Sequence, residues 1–117
     1  MAITSAIPTS FKSEVLKGTH NFTNSSGNTF KLALYTSSAT LGATTTAFTT
    51  TGQASGTNYT SGGSALTSVT PTTSGTTAIC DFSDLTFSTA TVTARGCMIY
   101  NDTNSDKACA IIDFGGD

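Results

Sequence analysis

Residues 29–41 read TFKLALYTSSATL, and this stretch decides the fold class of the chain. Its first half alternates as a strand does, because Phe30, Leu32 and Leu34 fall on one side and Lys31 lies on the other. Its second half is a run of small polar residues, which is typical of a turn. We expect the strand to turn its phenylalanine and leucines to the core and to carry neighbouring strands at its edges.

The composition is that of a β protein with few charges. Of the 117 residues 37% are hydrophobic, which is ordinary, but only 10% are charged, where about 25% is usual. Threonine and serine fill the difference, and threonine is β-branched and suits pleated sheets. Neutral faces of this kind cost little to desolvate. The composition therefore favours a subunit that packs against neighbours over a free-standing β domain with a threonine-rich surface.

Charge and hydropathy argue against several classes of partner. The net charge is −2 and no basic run occurs, so we expect no nucleic-acid partner. No apolar run reaches the length of a membrane span, and residues 1–12 lack the basic start and apolar core of a secretion signal. Cys80, Cys97 and Cys109 fall within predicted strands and lack metal-ligand spacing. We expect them to be buried free thiols of a protein made in a reducing cytoplasm.

The sequence predicts a single domain over residues 1–117. Residues 1–8 are expected to form an N-terminal arm, residues 9–18 a short helix, and residues 29–117 the β-sheet body. The predicted fold class is mainly β, an antiparallel β-sandwich or barrel-like sheet with one short N-terminal helix.

The helix has clear boundary signals. Thr9 or Ser10 is expected to cap it, and Gly18 is expected to end it. Phe11 and Val15 are four residues apart and share a face. Because about two turns are too short to be stable alone, we expect the helix to dock on the sheet.

Several strands and turns are predicted in the sheet body. Residues 64–70 alternate and are expected to end at Pro71, residues 77–82 form the next strand, and residues 94–101 form a hairpin with residues 107–114.

The last strand is expected to carry Ala108, Ala110, Ile112 and Phe114 on one face. Its outer edge either lies exposed, is covered by a neighbouring chain, or is completed by residues beyond Asp117.

The loop over residues 52–63 is rich in glycine and has one large side chain, Tyr59. A loop of this length in a small domain is usually functional or disordered. Two interpretations of Tyr59 stay open: it contacts a partner, or it pins the loop to the core.

The residues offer little chemistry for catalysis. His20 is the only histidine, and no motif around it or the cysteines indicates a nucleophile. Residues 102–106, DTNSD, match the start of a calcium loop, with Asp113 at its twelfth position. However, Lys107 stands where that loop needs glycine, and strands flank it, so a plain hairpin turn is favoured. We expect no enzymatic activity, no cofactor and no metal.

Several segments, taken in order, resemble a group of small structural proteins of tailed bacteriophages. They are MAITSAIPTSFKSEVLKGTHNF at the start, the strand TFKLALYTSSATL, SGTNYTSGG followed by ALTSV, and ARGCMIYND with AIIDFGG at the end. The resemblance rests on overall pattern along nearly the whole chain. It implies a virion component without enzymatic activity, made in the host bacterial cytoplasm.

Among virion roles we expect a capsid decoration, or cement, protein that binds and stabilises the head shell. The resemblance implies the major capsid protein or other virion proteins as partners, and a homo-oligomer. The residues expected to make contacts lie in the arm and the long loop: Met1, Ala2, Ile3, Ile7 and Tyr59. The alternatives are a tail- or fibre-associated subunit and a host-glycan-binding β-sandwich adhesin; the lack of tryptophan counts against the adhesin.

Overall fold

The computed structural model describes residues 2–117, and Met1 lies outside the described part. The chain is mainly β with one short helix, and every strand pairing is antiparallel, as the sequence predicts. The elements in chain order are α1 (Thr9–Leu16), β1 (Phe30–Tyr35), β2 (Gly56–Thr57), β3 (Ser64–Ala65), β4 (Ser68–Ser74), β5 (Thr77–Phe82), β6 (Thr91–Val92), β7 (Gly96–Asn101) and β8 (Lys107–Asp113).

The largest sheet has four strands in the order β3-β1-β7-β8. Strand β1 pairs with β7 over its whole length, from Phe30 opposite Asn101 to Tyr35 opposite Gly96. Two small sheets, β2-β6 and β4-β5, complete the body. The strand predicted in the first half of residues 29–41 is therefore confirmed as β1 and lies inside the main sheet.

Both faces of the main sheet carry apolar clusters. Cluster A lies on the face of Ala33 and Tyr35, and cluster B lies on the face of Leu34. Beside cluster B the ring of Phe22 stacks on Phe30 with centroids 4.2 Å apart, and Phe82 lies edge-on to Phe22 and tilted to Phe30. Cluster A contains Ile3, Ala33, Tyr35, Ala39, Leu41, Met98, Tyr100, Ala108 and Ile111, and cluster B contains Leu34, Ala54 and Cys97 with Leu32, Tyr59, Phe87, Val92 and Ala94 against them.

The described part of the N-terminal segment, residues 2–8, packs along the body. Ile3 is 6% exposed and belongs to cluster A. Ala6 and Ile111 exchange two backbone hydrogen bonds, and Ser5 Oγ accepts from the N–H of Asp113. The outer edge of β8 is therefore covered in part by residues 5 and 6 of the same chain, which is none of the three outcomes predicted for this edge.

The β7–β8 hairpin is confirmed, but its predicted face alternation is wrong. A bulge at the Ile99–Tyr100 step sets Ile99 opposite Ala110 and Tyr100 opposite Ala108. One extra residue in a strand reverses the side on which the following residues lie. Ala108 and Ile111 therefore share cluster A, whereas Ile112 and Phe114 are 41% and 50% exposed.

The prediction that a strand ends at Pro71 is wrong, as the β4–β5 hairpin shows. Strand β4 runs through this proline to Ser74, and its pairing with β5 shifts register between Val69 and Thr72. Proline lacks a backbone N–H and is tolerated at a bulge or on an edge strand, and this hairpin offers both. Gly75, with φ of 59°, takes the first of the two turn positions, as a type II′ turn requires.

Helix α1 is confirmed, although its caps differ from the prediction. Pro8 takes the N-cap position without a side-chain hydrogen bond, so neither Thr9 nor Ser10 caps the helix. The helix ends at Leu16, and Gly18 adopts a positive φ just beyond it, as expected. Its docking contact is the ring of Phe11, which lies 4.8 Å from the ring of His20.

Candidate interaction surface

The β4–β5 hairpin carries the longest run of exposed residues in the described part of the chain. Residues 69–81 are all exposed, and Val69 and Ile79 are more than two-fifths exposed although both are apolar. Only Asp81 in this run carries a charge. Within residues 2–117, neither strand of the hairpin pairs with a third strand. The hairpin therefore presents an almost neutral surface of threonine and aliphatic side chains.

An apolar cleft of about 270 Å³ opens beside the hairpin. It lies between α1 and the chain before it on one side, β5 on another, and the face of β7 and β8 beneath. No charged residue lines it. The lining residues are Ile7, Phe11, Phe22, Cys80, Phe82, Ile99, Cys109 and Ala110.

The contact residues predicted in the arm are placed differently from one another. Ala2 is exposed and Ile7 is 48% exposed at the cleft, so both side chains are accessible. Ile3 is buried within cluster A, where its side chain is already in contact with the chain's own core. Met1 lies outside the described residues. The predicted contacts of Ala2 and Ile7 with a partner stay predictions.

Tyr59 follows the second of its two interpretations, in which it pins the loop. Its hydroxyl accepts from the N–H of Leu34 at 2.8 Å and donates to Gln53 Oε1 at 3.1 Å. Its ring lies 5.6 Å from that of Phe87. Burial raises the pKa of this hydroxyl above its usual value. The pinning of the loop is therefore confirmed, and a contact of the partly exposed Tyr59 with a partner stays a prediction.

A buried polar cluster joins α1, β7 and β8 at the inner end of the cleft. His20 Nε2 is 2.9 Å from Glu14 Oε1, and His20 Nδ1 is 3.0 Å from Asn101 Nδ2 and 3.7 Å from Cys109 Sγ. A cysteine, a histidine and a carboxylate in this order resemble a cysteine nucleophile with its base. The sequence did not reveal this cluster, because its members lie far apart along the chain.

The hydrogen bonds of Asn101 determine which ring nitrogen of His20 carries the proton. Asn101 Oδ1 accepts from the backbone N–H groups of Thr103 and Asn104, so its Nδ2 group faces His20 as a donor. Nδ1 of the imidazole must then be the acceptor, and Nε2 carries the proton and donates to Glu14.

Cys109 is not activated by this arrangement. Burial raises the pKa of its thiol to about 12, and the charge of Glu14 adds to the rise, so the thiolate is disfavoured. If His20 Nδ1 took the thiol proton, it would become a donor facing the donor group of Asn101. The cluster is therefore suited to holding elements together and is unsuited to nucleophilic attack.

The other two cysteines differ in environment. Cys97 is buried, as predicted, and burial raises the pKa of its thiol to about 11. The prediction for Cys80 is wrong, because this residue is exposed on β5 at the cleft. Its exposure follows from the projection of the hairpin, which the alternation of residues 77–82 does not reveal.

The possible calcium loop forms the β7–β8 turn, as the favoured interpretation predicted. Asp113 lies at the far end of β8, where its Oδ1 accepts from Arg95 Nε at 3.2 Å, so it does not close a loop around a cation with Asp102 and Asp106. Among residues 2–117, no three His, Cys, Asp or Glu side chains come together as metal ligands.

No protein-family model, curated protein or solved structure gives a significant match to this chain. No helix in the described part of the chain is long and apolar enough to cross a membrane.

Proposed function

We propose that this chain is a structural protein of a tailed bacteriophage virion, and that it decorates the capsid and stabilises the head shell. The observation that carries the proposal is the exposed, nearly neutral β4–β5 hairpin beside an uncharged cleft. Together they form a surface suited to burial against a neighbour, because apolar and hydroxyl groups are cheap to desolvate compared with charges. The resemblance along the sequence supports the same role.

A decoration protein needs contact area and no reactive group. A protein that binds only the assembled shell stabilises it by mass action, and a symmetric lattice repeats each modest contact many times. The most enzyme-like group of residues in the chain, the cluster of Glu14, His20 and Cys109, lacks an activated nucleophile. This is consistent with a binding role.

The arrangement of aromatic side chains favours this role over glycan adhesion. Sugar-binding faces usually present exposed aromatic rings. Here Phe11, Phe22, Phe30 and Phe82 pack against one another or against His20. Among the described residues only Phe114 is a large exposed aromatic side chain.

The proposal is tested by locating the protein in purified virions of the phage that encodes it. We expect immunogold labelling on heads and a copy number set by the capsid lattice. Shells that lack the protein should rupture at a lower temperature than decorated shells, and adding the purified protein should restore the difference. Labelling confined to tails would instead support the tail- or fibre-associated alternative, and absence from the virion would refute a structural role altogether.

A pair of matched variants tests the proposed contact surface. Ile79→Asp places a charge on the exposed hairpin and should abolish shell binding, because the charge would be desolvated in the contact. Leu16→Asp places the same charge on an exposed apolar side chain of α1, on a side of the helix other than that of Phe11, and should leave binding intact. Equal binding of both variants would exclude the hairpin as the contact element.

A further inference from the structure

Strand β5 has a free backbone edge. Its inner edge pairs with β4, and among residues 2–117 no other backbone group bonds to its outer edge. The pair Ser74–Thr77 flanks a two-residue turn and so exchanges hydrogen bonds. Along an antiparallel strand, residues whose backbone groups bond to the partner strand alternate with residues whose backbone groups point away from it. The N–H and C=O groups of Ala78 and Cys80 therefore point away from β4. The N–H of Phe82, the next outward position, is capped by the carboxylate of Asp81.

The two edges of this hairpin differ in their protection. Strand β4 carries Pro71 and a bulge, which are two of the devices that block the addition of a further strand. Strand β5 has neither a proline, a lysine nor a bulge. A strand that added to this hairpin would therefore add at β5.

The apolar cleft lies along β5, since Cys80 and Phe82 line it and no residue of β4 does. An added strand lies about 4.8 Å from its neighbour, which places it over the cleft. The cleft of about 270 Å³ is many times the space that one water needs, so it has room for aliphatic side chains. The face of β8 continues outward from Ala110 to Ile112, which is 41% exposed, and such a strand would cover it in part.

We propose that β5 and the cleft form an acceptor groove for one extended β-strand of a partner protein. Backbone bonds to Ala78 and Cys80 would hold the strand, and alternate side chains would enter the cleft. Because the lining carries no charge, those side chains are aliphatic and uncharged. The intervening side chains face solvent beside Ile79 and Asp81, where threonine or a basic residue fits. This inference does not depend on the proposed virion role.

The probe is a displayed library of random peptides of about nine residues, the length of a long strand, selected against the whole chain. We expect enriched sequences to place aliphatic residues at every second position. Hydrogen exchange on the complex should show new protection of the Ala78 and Cys80 amides. Enrichment without this two-residue period would overturn the proposal.

Two pairs of variants test the geometry of the selected complex. Ala78→Pro removes an outward N–H and should weaken binding at least about tenfold, whereas Ala78→Ser keeps it and should bind normally. Ala110→Glu charges the cleft and should abolish binding, whereas Leu16→Glu charges an exposed apolar side chain of α1 outside the lining and should not. The second pair keeps the test valid if the proline disturbs the hairpin.

Three results would contradict the groove. Binding that survives both Ala78→Pro and Ala110→Glu would place the peptide elsewhere. A failure to select any peptide would mean that the edge is not an acceptor. A dimer in light scattering that Ala78→Pro dissociates would show that the groove serves a second copy of this chain.

Discussion

Asn101 illustrates how much a single buried side chain organises in this protein. Its amide nitrogen donates to His20 and Asn28, and its amide oxygen accepts from the backbone N–H groups of Thr103 and Asn104 in the β7–β8 turn. The residue is fully buried. An amide is suited to this position because it combines donors and acceptors in one planar group.

Replacement of Asn101 by alanine should cost about 2–4 kcal/mol of unfolding free energy, because several buried polar groups would lose their partners. Urea denaturation measures the loss. Asn24→Ala is the control, because Asn24 is exposed and should change stability by no more than about 0.5 kcal/mol. Similar losses in the two variants would contradict the role of Asn101.

The three thiols should react at different rates. Cys80 is exposed, whereas Cys97 and Cys109 are buried, with pKa values raised to about 11 and about 12. At neutral pH one thiol of the native chain should react quickly with an aromatic disulfide reagent, which releases one equivalent of the reagent's thiolate. The denatured chain should release three equivalents. Cys80→Ser should remove the fast phase; a fast phase that persists would mean that a buried thiol is accessible.

Alkaline pH should destabilise the fold through its buried tyrosines. Burial raises the pKa of Tyr100 to about 12 and raises that of Tyr35 further, while unfolded tyrosines ionise near pH 10. The unfolded state therefore loses protons first. The stabilisation is complete below about pH 10 and is lost as pH rises through about 12. Denaturation at stepped pH, followed with phenolate absorbance, tests this; constant stability above pH 10 would contradict it.

At the scale of elements, the join between β1 and β3 depends on a close backbone approach. Gly63 has a positive φ of 79°, and an added Cβ would overlap the carbonyl of Leu32. Gly115 has a φ of 83° but faces open space. Both glycines would suffer backbone strain if replaced by alanine, but only Gly63 would also suffer steric overlap. Comparing the two positions therefore distinguishes the two effects.

Gly63→Ala should cost at least about 3 kcal/mol, because strain and overlap add. Gly115→Ala should cost only about 1–2 kcal/mol, since strain alone applies. Thermal and urea unfolding of the two variants provide the comparison. Equal losses would mean that the β1–β3 contact relaxes readily around the added methyl group.

The elements that the sequence predicted well are those whose side-chain alternation is uninterrupted. Strands β1, β5 and β7 and helix α1 lie where the sequence places them, because local periodicity determines them. The bulges in β4 and β8 could not be predicted, since an inserted residue leaves no mark in composition. The cleft and the His20 cluster also escaped prediction, because distant segments meet there.

At the scale of the whole molecule, the N-terminal segment is part of the fold. Ile3 fills cluster A, and Ser5 and Ala6 cover the edge of β8. A truncation of residues 1–8 would therefore remove core packing as well as any contact that the segment makes with a partner. Single substitutions separate the two effects.

Ile3→Ala should lower the unfolding free energy by about 2–4 kcal/mol, because it leaves a cavity in cluster A. Ile7→Ala should lower it by about 1 kcal/mol or less, because Ile7 is half exposed. Chemical denaturation measures both. If Ile7→Ala is the more destabilising variant, the packing of this segment differs from the one described.

The pairing of Ala6 with Ile111 also limits how early in synthesis the chain can complete its fold. During synthesis the N-terminal residues emerge early, yet their partner strand is translated more than a hundred residues later. At about 5–20 residues per second, the nascent chain waits several seconds before that closure becomes possible. Until then Ile3 and its neighbours have no complete core to enter. The pairing of Ala6 with β8 therefore forms only after nearly all of β8 has left the ribosome, and we expect a contact so distant in sequence to form slowly.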